Sequence, residues 1–355
     1  MNKVEIGREI DGVVRKPKRQ LAMVFDLNKC LGCHTCSIAC KQQWTREEGQ
    51  ENMWWTVVNT LPGRGTPRDW EDMGGGFDAQ GRQLPSLIPT REDFGDDFEF
   101  NKEEVFNGGK GVQNYLQPKN SRGEKPSWSP NWDEDQGGGE YPNSHFFYFP
   151  RLCNHCTHPA CLEACPRNAI YKREEDGVVL VNENHCKGYR FCMEACPYKR
   201  IYYNHVRDIS QKCIFCLPRI EKGVAPACAR QCPGRMRFVG YLDDKDGPIH
   251  KLVNEWQVAL PLHEEYGTQP NVYYVPPMSP PSIGPDGKVE HSKPRIPLEY
   301  LESLFGPRVK EALATIEREK ARKRNGEESE LMDALIVYKW PDDIFPDFVA
   351  DPANL

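Results

Sequence analysis

Residues 186–197 read Cys186-Lys187-Gly188-Tyr189-Arg190-Phe191-Cys192-Met193-Glu194-Ala195-Cys196-Pro197. This stretch decides the fold, because it is an imperfect copy of a pattern that the chain carries three more times. Cys30, Cys33, Cys36 and Cys40 hold the full form, spaced C-x2-C-x2-C-x3-C. Cys153, Cys156, Cys161 and Cys165 follow as C-x2-C-x4-C-x3-C, ahead of Pro166. Cys213, Cys216, Cys228 and Cys232 follow as C-x2-C-x11-C-x3-C, ahead of Pro233. In the stretch quoted first, Tyr189 stands where the second cysteine belongs. Three groups of four and one of three account for all 15 cysteines.

The rest of the composition narrows what such groups can be. The chain has 355 residues, 46 Lys+Arg against 52 Asp+Glu, and a formal charge of -6. Its length suits about two cores. Only 38% of residues are apolar, so the cysteines must help to organise the interior. No run approaches the ~18 apolar residues of a membrane-spanning helix. Net acidity argues against nucleic-acid binding driven by general charge. An odd cysteine count cannot close into intramolecular disulfides alone. The first residues, Met1-Asn2-Lys3-Val4-Glu5-Ile6-Gly7, lack the apolar stretch of ~7–15 residues of a secretory signal. The expectation is a protein that stays in the cytoplasm or leaves it folded, carried by a partner. The basic run Arg15-Lys16-Pro17-Lys18-Arg19 reads as a solvated stretch ahead of a strand over residues 21–25, with a docking arm or targeting signal as the other reading.

The spacing resembles that of bacterial ferredoxins, C-x2-C-x2-C-x3-C-P. Three thiolates on one tight loop reach three corners of an iron–sulfur cube. The next cysteine lies a helical turn further on, points away and ligates a different cube. Gly32 and Gly188 permit a positive φ that turns backbone amides toward sulfur. Under ferredoxin logic the groups exchange their fourth cysteines. The first and last groups pair, giving one [4Fe–4S] cluster on Cys30, Cys33, Cys36 and Cys232 and a second on Cys40, Cys213, Cys216 and Cys228. The middle groups pair, giving a third [4Fe–4S] cluster on Cys153, Cys156, Cys161 and Cys196. A fourth, [3Fe–4S], falls on Cys165, Cys186 and Cys192, with Tyr189 at the open corner; a tyrosine ligand to iron is the alternative. Zinc ribbons also use C-x2-C pairs, but they have no need of the third close cysteine. Cys30-Leu31-Gly32-Cys33-His34 formally matches a c-type haem attachment site, although Cys36 and Cys40 continue it at ferredoxin spacing. A disulfide framework suits smaller secreted chains.

The expected fold class is α+β: two ferredoxin-like dicluster units with long loop insertions and a helical C-terminal extension. Residues 20–45 with 205–240 form the outer unit, and 141–204 the inner one. Residues 46–140 form an insertion rich in Gly, Pro and Trp (Trp54, Trp55, Trp70, Trp128 and Trp132), read as ordered loop with little regular structure. Those tryptophans either pack, shield clusters or dock a partner. Residues 178–181 read as a strand before the third group. Residues 241–355 lack cysteine. Within them, 261–297 read as a proline-studded extended arm. Helices then follow, marked by Leu298, Leu301, Leu304 and Phe305, then by Pro307, Val309, Leu313 and Ile316, then by Leu331, Leu335 and Val337. Such a tail wraps either a partner subunit or this chain's own core.

Three further motifs carry a closer resemblance: Pro17-Lys18-Arg19-Gln20-Leu21, Asn131-Trp132-Asp133-Glu134-Asp135-Gln136, and Lys222-Gly223-Val224-Ala225-Pro226-Ala227-Cys228. With them the chain resembles, over most of its length, the iron–sulfur β subunits of molybdenum enzymes of the dimethyl sulfoxide reductase family. It is most similar to the branch of nitrate, perchlorate, chlorate and selenate reductases and of dimethyl sulfide and ethylbenzene dehydrogenases. The resemblance implies an electron-transfer subunit that is not itself an enzyme. Its partners would be a catalytic α subunit with molybdenum bis(guanine dinucleotide) and a haem b γ subunit. The Cys30/Cys232 cluster would face α and the three-iron cluster would face haem b. Tyr189, where nitrate reductase relatives commonly carry Trp, leans toward the periplasmic branch, in which β is exported with α; the inner face of the membrane is the alternative. Within that branch the expectation is a hydrocarbon dehydrogenase of the ethylbenzene type. A free-standing polyferredoxin and a nucleic-acid protein with structural iron are the readings from other classes. The long cysteine-free tail counts against the first, and the acidity and Tyr189 count against the second.

Overall fold

The computed structural model describes residues 17–78, 80–94 and 137–354. Arg15 and Lys16, Trp128 and Trp132, and the 131–136 motif lie outside the described residues. The 15 cysteines are all described, and all are free thiols.

The strand ahead of the first cysteine group is β1, Leu21–Asp26, one residue longer than the sequence suggests. All six of its residues are buried. A continuous apolar run with both faces covered is the pattern of a central strand. Its neighbours come from far along the chain. In the four-stranded sheet β8-β1-β10-β9, β1 runs antiparallel to β8 (Arg237–Tyr241) and parallel to β10 (Val272–Val275), with β9 (Leu260–Pro261) at the edge. The strand entering the first group is thereby tied to the strand leaving the fourth, with Phe25 opposite Arg237.

Short helices run between the cysteines of each group, and four of the five carry one or two of them: Cys36 and Cys40, Cys161, Cys192, and Cys228. The helices are α1 (Thr35–Trp44), α2 (Ala160–Glu163), α3 (Phe191–Ala195), α4 (Leu217–Ile220) and α5 (Ala227–Arg230). Helix α1 packs on α5, and α2 packs on α3. The first group therefore sits against the fourth and the second against the third. Two antiparallel ribbons join them: β4–β5 (Ile170–Lys172 with Val179–Val181) and β6–β7 (Ile201–Asn204 with Ile209–Lys212).

Two segments differ from their sequence reading. Within the insertion, β2 (Val57–Leu61) forms a five-residue ladder with β3 (Phe147–Arg151), where the sequence suggested little regular structure. Val57-Val58-Asn59-Thr60-Leu61 has the β-branched content for it. Two buried arginines clamp the ladder to the segments around Trp54, Thr66 and Tyr198. The Arg151 Nη2 donates to Tyr198 O (2.8 Å) and its Nη1 to Thr66 O (3.2 Å), while Arg200 donates to Thr66 O (3.0 Å) and Trp54 O. Burial, then the Arg200 charge, pulls the Arg151 pKa down to about 9. Its guanidinium lies 3.5 Å over the Trp70 ring, so this tryptophan packs.

The other departure lies in the proline-studded arm. Val272-Tyr273-Tyr274-Val275 is a fully buried strand within the main sheet rather than an extended arm. The helices beyond it follow the sequence: α6 (Leu298–Phe305), α7 (Val309–Arg324) and α8 (Glu330–Ile336). Leu301, Leu304, Phe305, Val309, Ile316, Leu331 and Leu335 join the same core as β1. Phe149 of β3 stacks on Tyr274 of β10 at 4.5 Å, and Phe305 of α6 closes that cluster at 5.9 Å from Tyr274. The chain end returns to the sheet, where Val239 N donates to Ile344 O and Ala225 N to Phe348 O. The apolar faces of the tail are thus buried on this chain's own core. Among the described residues no helix is long and apolar enough to cross a membrane.

Candidate iron–sulfur sites

Each cysteine loop is built by one repeated backbone choice. The residue before the second cysteine position is left-handed in all four groups: Gly32 (φ 64), His155 (φ 43), Gly188 (φ 65) and Phe215 (φ 54). The two glycines do this as expected; His155 and Phe215 do it against the preference of residues with a Cβ. Such a conformation turns successive amides to one side. Several of those and neighbouring amides reach sulfur. Phe215 N donates to Cys213 Sγ (3.4 Å), Ala227 N to Cys216 Sγ (3.4 Å), Ala169 N to Cys165 Sγ (3.3 Å) and Ser210 N to Cys186 Sγ (3.4 Å).

Helix packing then brings the thiols together. Cys30, Cys33, Cys36 and Cys232 line one cavity, beside Met236 and Arg237. Cys40 lies within electrostatic reach of Cys216, Cys213 and Cys228. Cys153, Cys156, Cys161 and Cys196 line a second cavity with Asn154 and His155. Cys192 has Cys165 and Cys186 as neighbours. Tyr189 projects outward, 57% exposed, with its ring 6.5 Å from that of Phe191.

The four gatherings lie within electrostatic reach of one another in sequence. Cys36 interacts with Cys228, Cys213 with Cys153, and Cys192 with Cys196. Each such pair relates one gathering to the next, which orders the four in a line.

These thiols suit a polynuclear cationic centre. Burial, then neighbouring sulfurs, pushes Cys156 up to about 12. Burial pushes Cys30 and Cys192 up to about 11, and raises Cys40 and Cys161 well above the ordinary thiol value. Bare thiols so placed stay protonated at neutral pH; a bound metal ionises them. Among the described residues no three His, Cys, Asp or Glu side chains converge where a single ion could be held. In two of the gatherings the sulfurs surround a cavity instead, as a cluster with several irons requires.

Two side chains that the cysteine pattern did not flag also reach sulfur. Arg237 Nη2 donates to Cys36 Sγ at 3.0 Å, and Trp44 Nε1 donates to Cys216 Sγ at 3.0 Å. The signal for Trp44 was its place four residues after Cys40 on one helix face. Arg237 lies on the strand that leaves the fourth group.

Fold and thiols together define a multi-cluster iron–sulfur electron-transfer protein. Residues 144–242 match the family described as a 4Fe-4S dicluster domain. The chain is 58% identical to the selenate reductase subunit beta of Thauera selenatis, over 90% of this chain and 97% of that one. It is 57% identical to the chlorate reductase subunit beta of Ideonella dechloratans (90% and 97%) and 54% identical to the dimethylsulfide dehydrogenase subunit beta of Rhodovulum sulfidophilum (92% and 98%). The chain belongs to the family of iron–sulfur β subunits of dimethyl sulfoxide reductase-type molybdoenzymes. It is an electron-transfer subunit of an oxidoreductase complex and holds iron–sulfur clusters.

Proposed function

We propose that this chain is a four-cluster wire between a molybdenum catalytic α subunit and a haem b γ subunit. Three [4Fe–4S] clusters sit on Cys30/Cys33/Cys36/Cys232, Cys40/Cys213/Cys216/Cys228 and Cys153/Cys156/Cys161/Cys196. A [3Fe–4S] cluster sits on Cys165/Cys186/Cys192, with Tyr189 at its open corner. The observation that carries this reading is the linear order of thiol gatherings through Cys36–Cys228, Cys213–Cys153 and Cys196–Cys192. Each cluster passes one electron to the next, and the protein supplies thiolates, amide donors and spacing. The two ends of the line are open: Cys33 and Leu31 are exposed at the first, Tyr189 and Phe191 at the last. The first end suits α and the last suits haem b. The domain division given by the sequence, outer and inner dicluster units with an insertion and a tail, is part of the same proposal.

The relatives are named for selenate, chlorate and dimethylsulfide, and their identities differ by only a few per cent. Reductases and a dehydrogenase thus use nearly the same wire, and substrate choice and direction belong to α. None of these names supports the ethylbenzene-type expectation, and the proposal is limited to the branch as a whole. Its periplasmic location, by export with α, is likewise proposed, and is tested by fractionation.

Iron counting with EPR on the purified complex tests the cluster scheme. It requires about fifteen irons in this chain and one three-iron signal when oxidised. Tyr189→Cys should convert that signal toward a four-iron type. An unchanged spectrum in the folded variant removes Tyr189 from the open corner.

A further inference from the structure

His155 is fully enclosed, at 1% exposure, in the loop between Cys153 and Cys156, the first two cysteines of the second group. It lines the cavity of Cys153, Cys156, Cys161 and Cys196. Its loop is pinned: Asn271 Nδ2 donates to His155 O (2.9 Å), and Asn271 N donates to Asn154 O (2.9 Å). The ring is oriented as well. Val179 N donates to Nδ1 at 3.1 Å. A nitrogen that accepts carries no proton, so the neutral imidazole keeps its proton on Nε2. That Nε2–H is buried and has no hydrogen-bond partner among the described residues. A buried donor left unmet costs free energy, and in native proteins such a group calls for an explanation.

The ring also stands at a junction. Its edge meets Phe215 at 5.2 Å between centroids. Phe215 occupies the equivalent left-handed position in the loop of Cys213 and Cys216. Cys213 in turn interacts with Cys153. This is where the line passes from the outer unit to the inner one.

We propose that His155 is a positioning and tuning residue, whose Nε2–H donates to a sulfur of the third cluster and raises its reduction potential at the hand-over between the two units. The proposal rests on the cluster reading above. The step it tunes is a one-electron exchange between neighbouring clusters; the electron comes from the second or fourth cluster, and the proton stays on Nε2. Hydrogen bonds to cluster sulfur stabilise the reduced, more negative state, so the potential rises.

The test uses the purified complex and an EPR-monitored redox titration. His155→Leu should change the oxidised-to-reduced ratio of the third cluster about tenfold toward oxidised at fixed potential, a fall of ~59 mV for one electron. His155→Gln keeps an amide N–H and an acceptor for Val179 N, and should restore most of the shift. Retained cluster with wild-type potential in both variants overturns the proposal. Wild-type complex grown with 15N-histidine gives a second readout independent of variant folding. A 15N coupling on the third cluster supports the bond, and its absence overturns it. A Cys161→Ser chain that keeps every cluster signal would instead remove the cluster reading beneath the proposal.

Discussion

Replacing Arg237 with methionine should lower the potential of the cluster proposed on Cys30, Cys33, Cys36 and Cys232 by ~59 mV, one decade for one electron. Arg237 is 1% exposed, and its Nη2 lies 3.0 Å from Cys36 Sγ. Burial alone would weaken its charge; the sulfurs of Cys36, Cys228, Cys232 and Cys30 outweigh that and raise its pKa. At an effective dielectric of about 20, unit charges at this separation interact by about 5.5 kcal/mol. An electron added to the cluster is shared over its four thiolate corners, so about a quarter, ~1.4 kcal/mol, acts through Cys36. That is about tenfold in the redox ratio. Methionine keeps most of the volume over Phe25, whose ring lies 4.4 Å below the guanidinium. Arg237→Lys should shift the potential less, since it keeps the charge and loses the fork. The assay is EPR-monitored titration of the first cluster in the purified complex. A folded, iron-replete Arg237→Met complex with an unchanged first-cluster potential refutes the reasoning.

Gly32→Ala should lower Tm more than Gly81→Ala. Both glycines are left-handed, at φ 64 and 76, which costs an L-residue about 1–2 kcal/mol; a Cβ at Gly32 would also lie 2.6 Å from the Tyr148 ring, whereas one at Gly81 meets nothing. Equal losses would show that the Tyr148 contact is unimportant. Phe305→Ala should destabilise the chain by about 3–5 kcal/mol, because its ring is wholly buried against Phe149 and Tyr274. A tail that served only a partner would leave the Tm of the isolated chain unchanged. His263 has its two ring nitrogens 2.6 Å from Glu71 and 2.7 Å from Glu265. Burial pulls its pKa down, but the two carboxylates prevail and raise it. Its contribution to stability is therefore full below the ordinary value of about 6.5 and fades as pH rises through the raised value. With the intrinsic base-catalysed rise divided out, protection of the His263 amide, which donates to Leu304 O, should fall over that window, and the fall should be smaller in Glu71→Gln, where only Glu265 remains. Parallel profiles for the two proteins would count against it.

The thiol gatherings were legible because ligand spacing is local and survives any loop between groups. Cys232 could be joined to Cys30 on template logic alone, and the packing of α1 on α5 supplies the physical route. Tail helices were legible because Leu301, Leu304 and Phe305 keep helical spacing. Strands β2 and β10 were not, since each is a short β-rich run flanked by prolines, tryptophans or glycines that read as loop. What makes β10 a strand is its parallel partner β1, at the other end of the chain. His155 and Arg237 were hidden for a related reason, and Trp44 showed only its place four residues after Cys40. Their roles depend on which sulfur they meet across the fold, and no spacing rule encodes that.

The two halves of the proposed outer unit lie far apart in the chain, and this orders biogenesis. During synthesis, Cys153 to Cys196 emerge as a nearly contiguous block, and α2 can meet α3 early. Under the proposed assignment Cys30, Cys33 and Cys36 wait for Cys232, and β1 cannot gain its parallel neighbour until Val272 has left the ribosome. Closing so long a loop comes late in folding. Metallation should therefore run from the inside outward. Chains arrested before Cys232 would carry inner iron while the site nearest the proposed catalytic partner stayed unbuilt, which delays docking until the wire behind it is already in place.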